Sequence, residues 1–197
     1  MLGTIFGVAL ITSAQASDDL LFIGPDSYSG TIKNVSLYVD DQVDGNCWTN
    51  VDSIRQNARL KLEQSNIRVY NEPMAGFYPF NATMIITGVG YRVSGICAGA
   101  ITVKVTTTVA STSFNKNIFM SLDGDLLNKT LIATSSNNLN QSFSETSDAA
   151  VAEFSSNVIS GRRNNAVQKL INDNISIYKK EPMTMKELNE LVEKSST

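Results

Sequence analysis

Between residues 35 and 70 the apolar residues change period twice, and this constrains the fold more than any other feature of the chain. Val35-Ser36-Leu37-Tyr38-Val39 alternates, as a strand with one buried face does. After the polar turn region Asp40–Asn46 and Cys47-Trp48, the residues Val51, Ile54, Ala58 and Leu62 recur at three- and four-residue steps. That spacing puts them on one side of a helix, with Thr49 or Asn50 placed to cap its start and the Gln64–Asn66 stretch suited to its close. Ile67-Arg68-Val69-Tyr70 then returns to period two. The expectation is β-α-β, with a right-handed crossover that sets the two strands parallel in one sheet.

The remainder extends the sheet and then turns helical. Residues 17–33, with Gly24-Pro25-Asp26 and Gly30, read as an irregular lead-in, and Glu72–Phe80, with Pro73, Gly76 and Pro79, as a loop. Thr83–Val93 and Ile101–Val109 are β-rich runs, and Ser94-Gly95-Ile96-Cys97-Ala98-Gly99 between them is a hairpin connection. Val103, Val105 and Val109 share one face of the second run, while Lys104, Thr106 and Thr108 form a wet one. Asp123-Gly124, between Ile118–Leu122 and Leu126–Ala133, signals a second hairpin, so four antiparallel strands are expected. A polar tract covers Ser135–Ser147. Beyond it Val151, Phe154 and Val158 fit one helical face, Ser160–Asn165 interrupts, and Val167, Leu170, Ile171, Ile175 and Tyr178 resume the stripe. Thr184 and Glu187 have capping-box spacing ahead of Leu188, Leu191 and Val192. The fold class is therefore α+β: a mixed, mostly antiparallel sheet with an initial βαβ unit, helices packed on one face, and C-terminal helices.

The first sixteen residues carry an address. Ile5–Ile11 is an apolar run too short to span a bilayer, and Ala14-Gln15-Ala16 is a small-x-small cleavage site before the polar Ser17-Asp18-Asp19. Residues 1–16 read as a signal peptide, although no Lys or Arg precedes the apolar run; a buried N-terminal strand is the competing reading. Removing them leaves about 180 residues, the size of one domain. Residues 17–180 are assigned to a single α+β domain and residues 181–197 to a short helical appendage, expected to dock on that domain. The two cysteines, Cys47 and Cys97, in an exported chain form an even pair and are expected to be disulfide-bonded. The expected location is secreted or periplasmic.

Composition closes several routes. With no histidine, Ser-His-Asp and Cys-His catalysis, imidazole acid–base chemistry and His-based zinc sites are excluded. A net charge of −3 gives no basic stripe for nucleic acid or an anionic membrane. No later segment is long and apolar enough for a transmembrane helix. The N-x-[ST] sequons headed by Asn34, Asn81, Asn128, Asn140 and Asn174 arise readily by chance in a chain so rich in Asn, Ser and Thr, and assign nothing.

The stretch Val51-Asp52-Ser53-Ile54-Arg55-Gln56-Asn57-Ala58-Arg59-Leu60-Lys61-Leu62, with the strands Val35–Val39 and Ile67–Val69 on either side, resembles the opening unit of a loose group of exported bacterial proteins. In these a strand leads to a helix reading I-R-x-x-A-x-x-x-L, a short turn and an I-x-V strand. Many are uncharacterised periplasmic proteins, similar in outline to the small α+β domains of curli-secretion and Tol-type envelope assembly factors. The resemblance implies an envelope or secreted binding role and lends no catalytic residue, since a fold does not fix a function.

Four groups of residues are candidates for chemistry. Asp40, Asp41 and Asp44, with Asn46, gather oxygen ligands for a cation such as calcium, but Gln42 and Val51 stand where an EF-hand needs ligands; a solvated turn is the plainer reading. Gly88-Val89-Gly90 lacks the third glycine of a dinucleotide fingerprint and marks close backbone packing in a strand, so no cofactor is expected. Arg162 and Arg163, in a loop before a helix, form a candidate anion site. Trp48, Tyr70, Phe77, Tyr78 and Phe80 form a partner patch if exposed together, or core and lid if buried. The resulting expectation is a non-enzymatic binding or envelope-assembly protein with a protein or envelope partner. The alternative is a histidine-independent hydrolase that uses paired carboxylates on glycans, although Glu63, Glu72 and Glu145 are scattered in sequence.

Overall fold

Strand alternation and helical spacing both resolve into one buried layer. The computed structural model describes residues 23–71, 78–112, 119–182, 186, 187 and 190; the leader Met1–Ala16, Phe77, Thr184, Leu188, Leu191 and Val192 lie outside the described residues. In chain order the elements are α1 (Pro25–Tyr28), a 3-10 turn (Ser29–Thr31), β1 (Asn34–Val43), α2 (Val51–Gln64), β2 (Arg68–Tyr70), β3 (Asn81–Val93), β4 (Ile96–Thr112), β5 (Phe119–Ser135), α3 (Asn140–Gly161), α4 (Asn165–Asp173) and α5 (Ile175–Tyr178). The sheet order is β2-β1-β3-β4-β5. β1 runs parallel to β2, with Val35 opposite Val69, and parallel to β3, while β3-β4-β5 is an antiparallel meander. The fold is thus the expected mixed α+β sheet with its βαβ opening.

The core lies between one face of this sheet and the helices α2 and α3. Val35 and Leu37 of β1, Met84 and Ile86 of β3 and Ile101, Val103 and Val105 of β4 face Ile54, Ala58 and Leu62 of α2 and Phe143, Val151, Phe154 and Val158 of α3. Each fully buried aliphatic or aromatic side chain contributes about 1.5–3 kcal/mol relative to its exposed state. Trp48, three residues before α2, meets Phe143 edge to face at 5.3 Å between ring centroids. Asn66, at φ 55°, closes α2 in the left-handed conformation that Asn tolerates. Asn50 stands at the start of α2, yet its side chain caps nothing there. Its Nδ2 donates instead to Ser144 Oγ of α3 at 2.8 Å, tying one helix to the next.

Four sequence expectations are corrected. Part of the lead-in is helical: α1 and the following turn occupy residues 25–31, and Ser29, Gly30 and Thr31 are buried. The first hairpin turn is two residues, Ser94-Gly95, not the longer connection through Gly99; β4 already begins at Ile96. Asp123-Gly124 makes no turn but runs inside β5, paired with Thr108 and Thr107 of β4, so three antiparallel strands replace four. A bulge at Val105/Thr106 shifts the register and absorbs Leu126, while Lys104 Nζ holds Asp125 at 3.1 Å. Pairing with a long neighbouring strand here overrides a local turn preference. Finally, α3 starts at Asn140, inside the polar tract, because Phe143 is buried and Leu139 N donates to Cys47 O at 2.7 Å.

Candidate functional site

The helices cover one face of the sheet, and near the β3–β4 hairpin the other face is open and apolar. In β3 the residues Met84, Ile86 and Gly88 point to the core, so alternation turns Ile85, Val89, Tyr91 and Val93 outward. Val93 pairs with Ile96, Tyr91 with Ala98, Val89 with Ala100, and Ala100 in turn with Ile132 of β5. Exposure is 57% at Tyr91 and Val93, 50% at Ile96 and 79% at Ile132. Val89, Tyr91 and Ile132 rim a shallow trough that includes the small residues Ala98 and Ala100, and Val93 and Ile96 extend the apolar surface toward the turn. Single exposed apolar residues need no explanation, but a contiguous set on a regular surface marks a contact site.

The underside of the hairpin is fixed in place. Ser94 (φ 50°) and Gly95 (φ 83°) supply the two positive φ values that a two-residue turn matched to strand twist requires. Arg92 donates from Nε to Gly45 O (3.0 Å), from Nη1 to Gly95 O (3.1 Å) and from Nη2 to Asn137 O (2.7 Å). Cys47 and Cys97 lie at bonding distance, Cα atoms 5.6 Å apart, and link the hairpin to the segment before α2. The arginine and the cysteine pair hold the hairpin against the loops before α2 and α3. The apolar rim is therefore presented on a rigid support.

A second cluster sits near the β1–β2 edge. Val69 faces the core, so its neighbours Arg68 and Tyr70 face away from the helices. There Glu181, from the segment after α5, receives Lys33 Nζ at 3.0 Å and Arg68 Nη1 at 3.0 Å, and Tyr70 Oη donates to it as well. The Tyr70 hydrogen bond, then Lys33, hold the Glu181 carboxyl below its ordinary value. Burial first, then the Glu181 carboxylate, push the Tyr70 hydroxyl up to about 12. Glu181 is thus held against β2 and the residue before β1, and Pro182 is buried.

The sequence candidates are dispersed. Trp48 is core, Tyr70 belongs to the Glu181 cluster, Phe80 packs on Tyr178 at 5.4 Å and Tyr78 is half-buried, so the described members of the aromatic set do not form one patch. Arg162 donates to the carbonyls of Ser65, Ile32 and Asn66, each at 3.1 Å, which commits its guanidinium to holding backbone, while Arg163 stands exposed. Asp40 accepts from Gln42 and Asp41 from Val43 N. Among the described residues no group of three or more His, Cys, Asp or Glu is arranged to hold a metal ion. Of the scattered acids, Glu63 on α2 is paired with Arg59 and Glu145 on α3 accepts from Gln141. Gly88 packs as its sequence context implies: a Cβ there would stand 2.4 Å from Trp48 Cζ3. Among the described residues no helix is long and apolar enough to cross a membrane.

No protein-family model matches the chain, and no curated protein does. Among solved structures it is similar to the PelC dodecamer from Paraburkholderia phytofirmans, at 12% identity over 65% of this chain and 89% of that one, with a TM-score of 0.29. An uncharacterized protein is similar at 9% identity over 66% of this chain and 92% of its own, TM-score 0.28. Likenesses this distant carry no argument about function, so the site is argued from its own residues.

Proposed function

We propose that this chain is an exported, non-enzymatic binding module that meets a protein partner through the open apolar face at the β3–β4 hairpin. The observation that carries the reading is the side-by-side exposure of Val89, Tyr91 and Ile132 around the Ala98–Ala100 trough, continued toward the turn by exposed Val93 and Ile96. Tyr91 is of a residue type enriched among binding hot spots, and side chains on a preorganised surface supply contact area at low conformational cost. The leader reading and the cysteine pair support an exported location. The chain's net charge of −3 favours a protein surface over an anionic bilayer as the partner.

A photo-crosslinking amino acid placed at Tyr91 or at Ile132 tests this in the native compartment, with Asp52 on exposed α2 as the control. The expected result is one discrete adduct from both hairpin-face positions and none from position 52. Equal adducts from all three positions, or none from the face, would sink the proposal.

A further inference from the structure

We propose that Lys33, Arg68, Tyr70 and Phe80 form a binding site for a peptide of the form Tyr-x-x-Glu-Pro, recognised through its glutamate carboxylate and closed here by the chain's own residues 178–182. This lies apart from the hairpin face and does not depend on it. Three donors, one from the residue before β1 and two from β2, converge on a single carboxylate, Glu181. Three residues earlier Tyr178 meets the Phe80 ring edge to face, 5.4 Å between centroids and 69° between planes. One residue later Pro182 is buried. An aromatic anchor, a charge anchor and a proline at fixed spacing are the features by which a short peptide is recognised.

The receptor half of this contact lies on β2 and on the residues just before β1 and β3. Lys33 N donates to Phe80 O at 2.7 Å and Arg68 N donates to Lys33 O at 3.2 Å, so the backbone that carries three of the four receptor residues is cross-linked without any help from Glu181. Arg68 also lies over the Tyr70 ring at 5.4 Å, which orients both donors. From Lys33 and Arg68 a cleft continues past Asn34, Glu63, Asn66 and Ile67, giving a longer ligand room beyond its carboxylate. The closing half is held more lightly. The Glu181 side chain is 52% exposed, and ion pairs at such exposure are individually weak. The own segment prevails because it is tethered and therefore present at high effective concentration. Weakening it opens the site to the same chemistry from another chain.

The test uses the full chain and a fluorescent hexapeptide, Tyr-Lys-Lys-Glu-Pro-Met, followed by anisotropy. The Tyr178→Ala/Glu181→Ala protein is expected to bind it saturably and at least about tenfold more tightly than wild type does. Binding should fall about tenfold or more when the peptide Glu is replaced by Gln, and again when Arg68→Ala is added. If the double variant does not fold, Glu181→Gln, nearly the same shape, decides by the same titration. Equal affinity of the folded variant and wild type, or of the Glu and Gln peptides, would overturn the proposal.

Discussion

Replacing Gly88 by Ala probes the junction on which the hairpin face rests. A Cβ at Gly88 would stand 2.4 Å from Trp48 Cζ3, 2.5 Å from Cε3 and 3.2 Å from Phe143 Cε2, and the indole is itself wedged edge-on against Phe143. Two opposing effects set the size of the change. Ala in a strand gains about 0.5–1 kcal/mol over Gly by restricting the unfolded chain. Forcing a methyl into a filled core costs about 1–3 kcal/mol. Because the rigid ring cannot retreat, the second effect wins, and Gly88→Ala should destabilise by about 1–2 kcal/mol. Trp48→Leu alone empties the ring's site and should cost about 2–4 kcal/mol. With the ring gone, the two shortest approaches disappear and the added methyl keeps only the milder contact with Phe143 Cε2 at 3.2 Å. In that background Gly88→Ala should be neutral or stabilising, giving a coupling of about 2 kcal/mol between the two positions. Urea unfolding followed by far-ultraviolet circular dichroism measures all four corners, and avoids fluorescence, which the only Trp would report unevenly. Additivity to within about 0.5 kcal/mol would show that the close approach does not explain this glycine.

Further outcomes follow from the same geometry. A Cys47→Ser/Cys97→Ser variant opens a loop with a sequence separation of 50 residues and should lose about 4 kcal/mol in the chain-entropy account; an unchanged urea midpoint for wild type under reductant would contradict it. Tyr70, raised to about 12, contributes stability that is fully present below its ordinary 10.0 and is lost as pH rises through about 12. Glu181, lowered chiefly by the Tyr70 hydrogen bond, contributes stability present above the ordinary 4.5 and lost as pH falls through its lowered value. A near-ultraviolet absorbance titration of Glu181→Gln should therefore bring Tyr70 back toward 10.0, and an unmoved Tyr70 would refute the contact. Arg162→Met leaves the carbonyls of Ile32, Ser65 and Asn66 without their donor and should cost about 2–4 kcal/mol by urea unfolding; a change under about 0.5 kcal/mol would reject that role.

The βαβ opening is legible in the sequence because its signals are local. Val35 and Leu37 alternate, Ile54, Ala58 and Leu62 keep helical spacing, and Asn66 can take φ 55° by itself. The Asp123-Gly124 turn fails for the opposite reason. Which strand pairs with residues 119–135 is settled by β4, and no local propensity reports on that. The hairpin face is hidden by the uniformity of β3. Met84 and Ile86 face the core while Ile85 and Val89 face out, so both sides of the strand are apolar and period-two reading assigns neither to solvent. The Glu181 cluster is beyond sequence reasoning altogether, since its three contacts join residues 148, 113 and 111 positions apart. The aromatic set carries no such local signal: Trp48, Tyr70 and Phe80 are near one another in sequence but are drawn to the core, to a carboxylate and to Tyr178.

Hydroxyl-radical footprinting of the protein, purified and in its native compartment, tests the binding surface most directly. Tyr91, Val93, Ile96 and Ile132 should be modified readily in isolation and several-fold more slowly in the native setting, while Leu60, 54% exposed on α2, keeps its rate. Equal rates at the hairpin face in both settings, or protection of Leu60 alone, would contradict the assignment of that face as the contact surface.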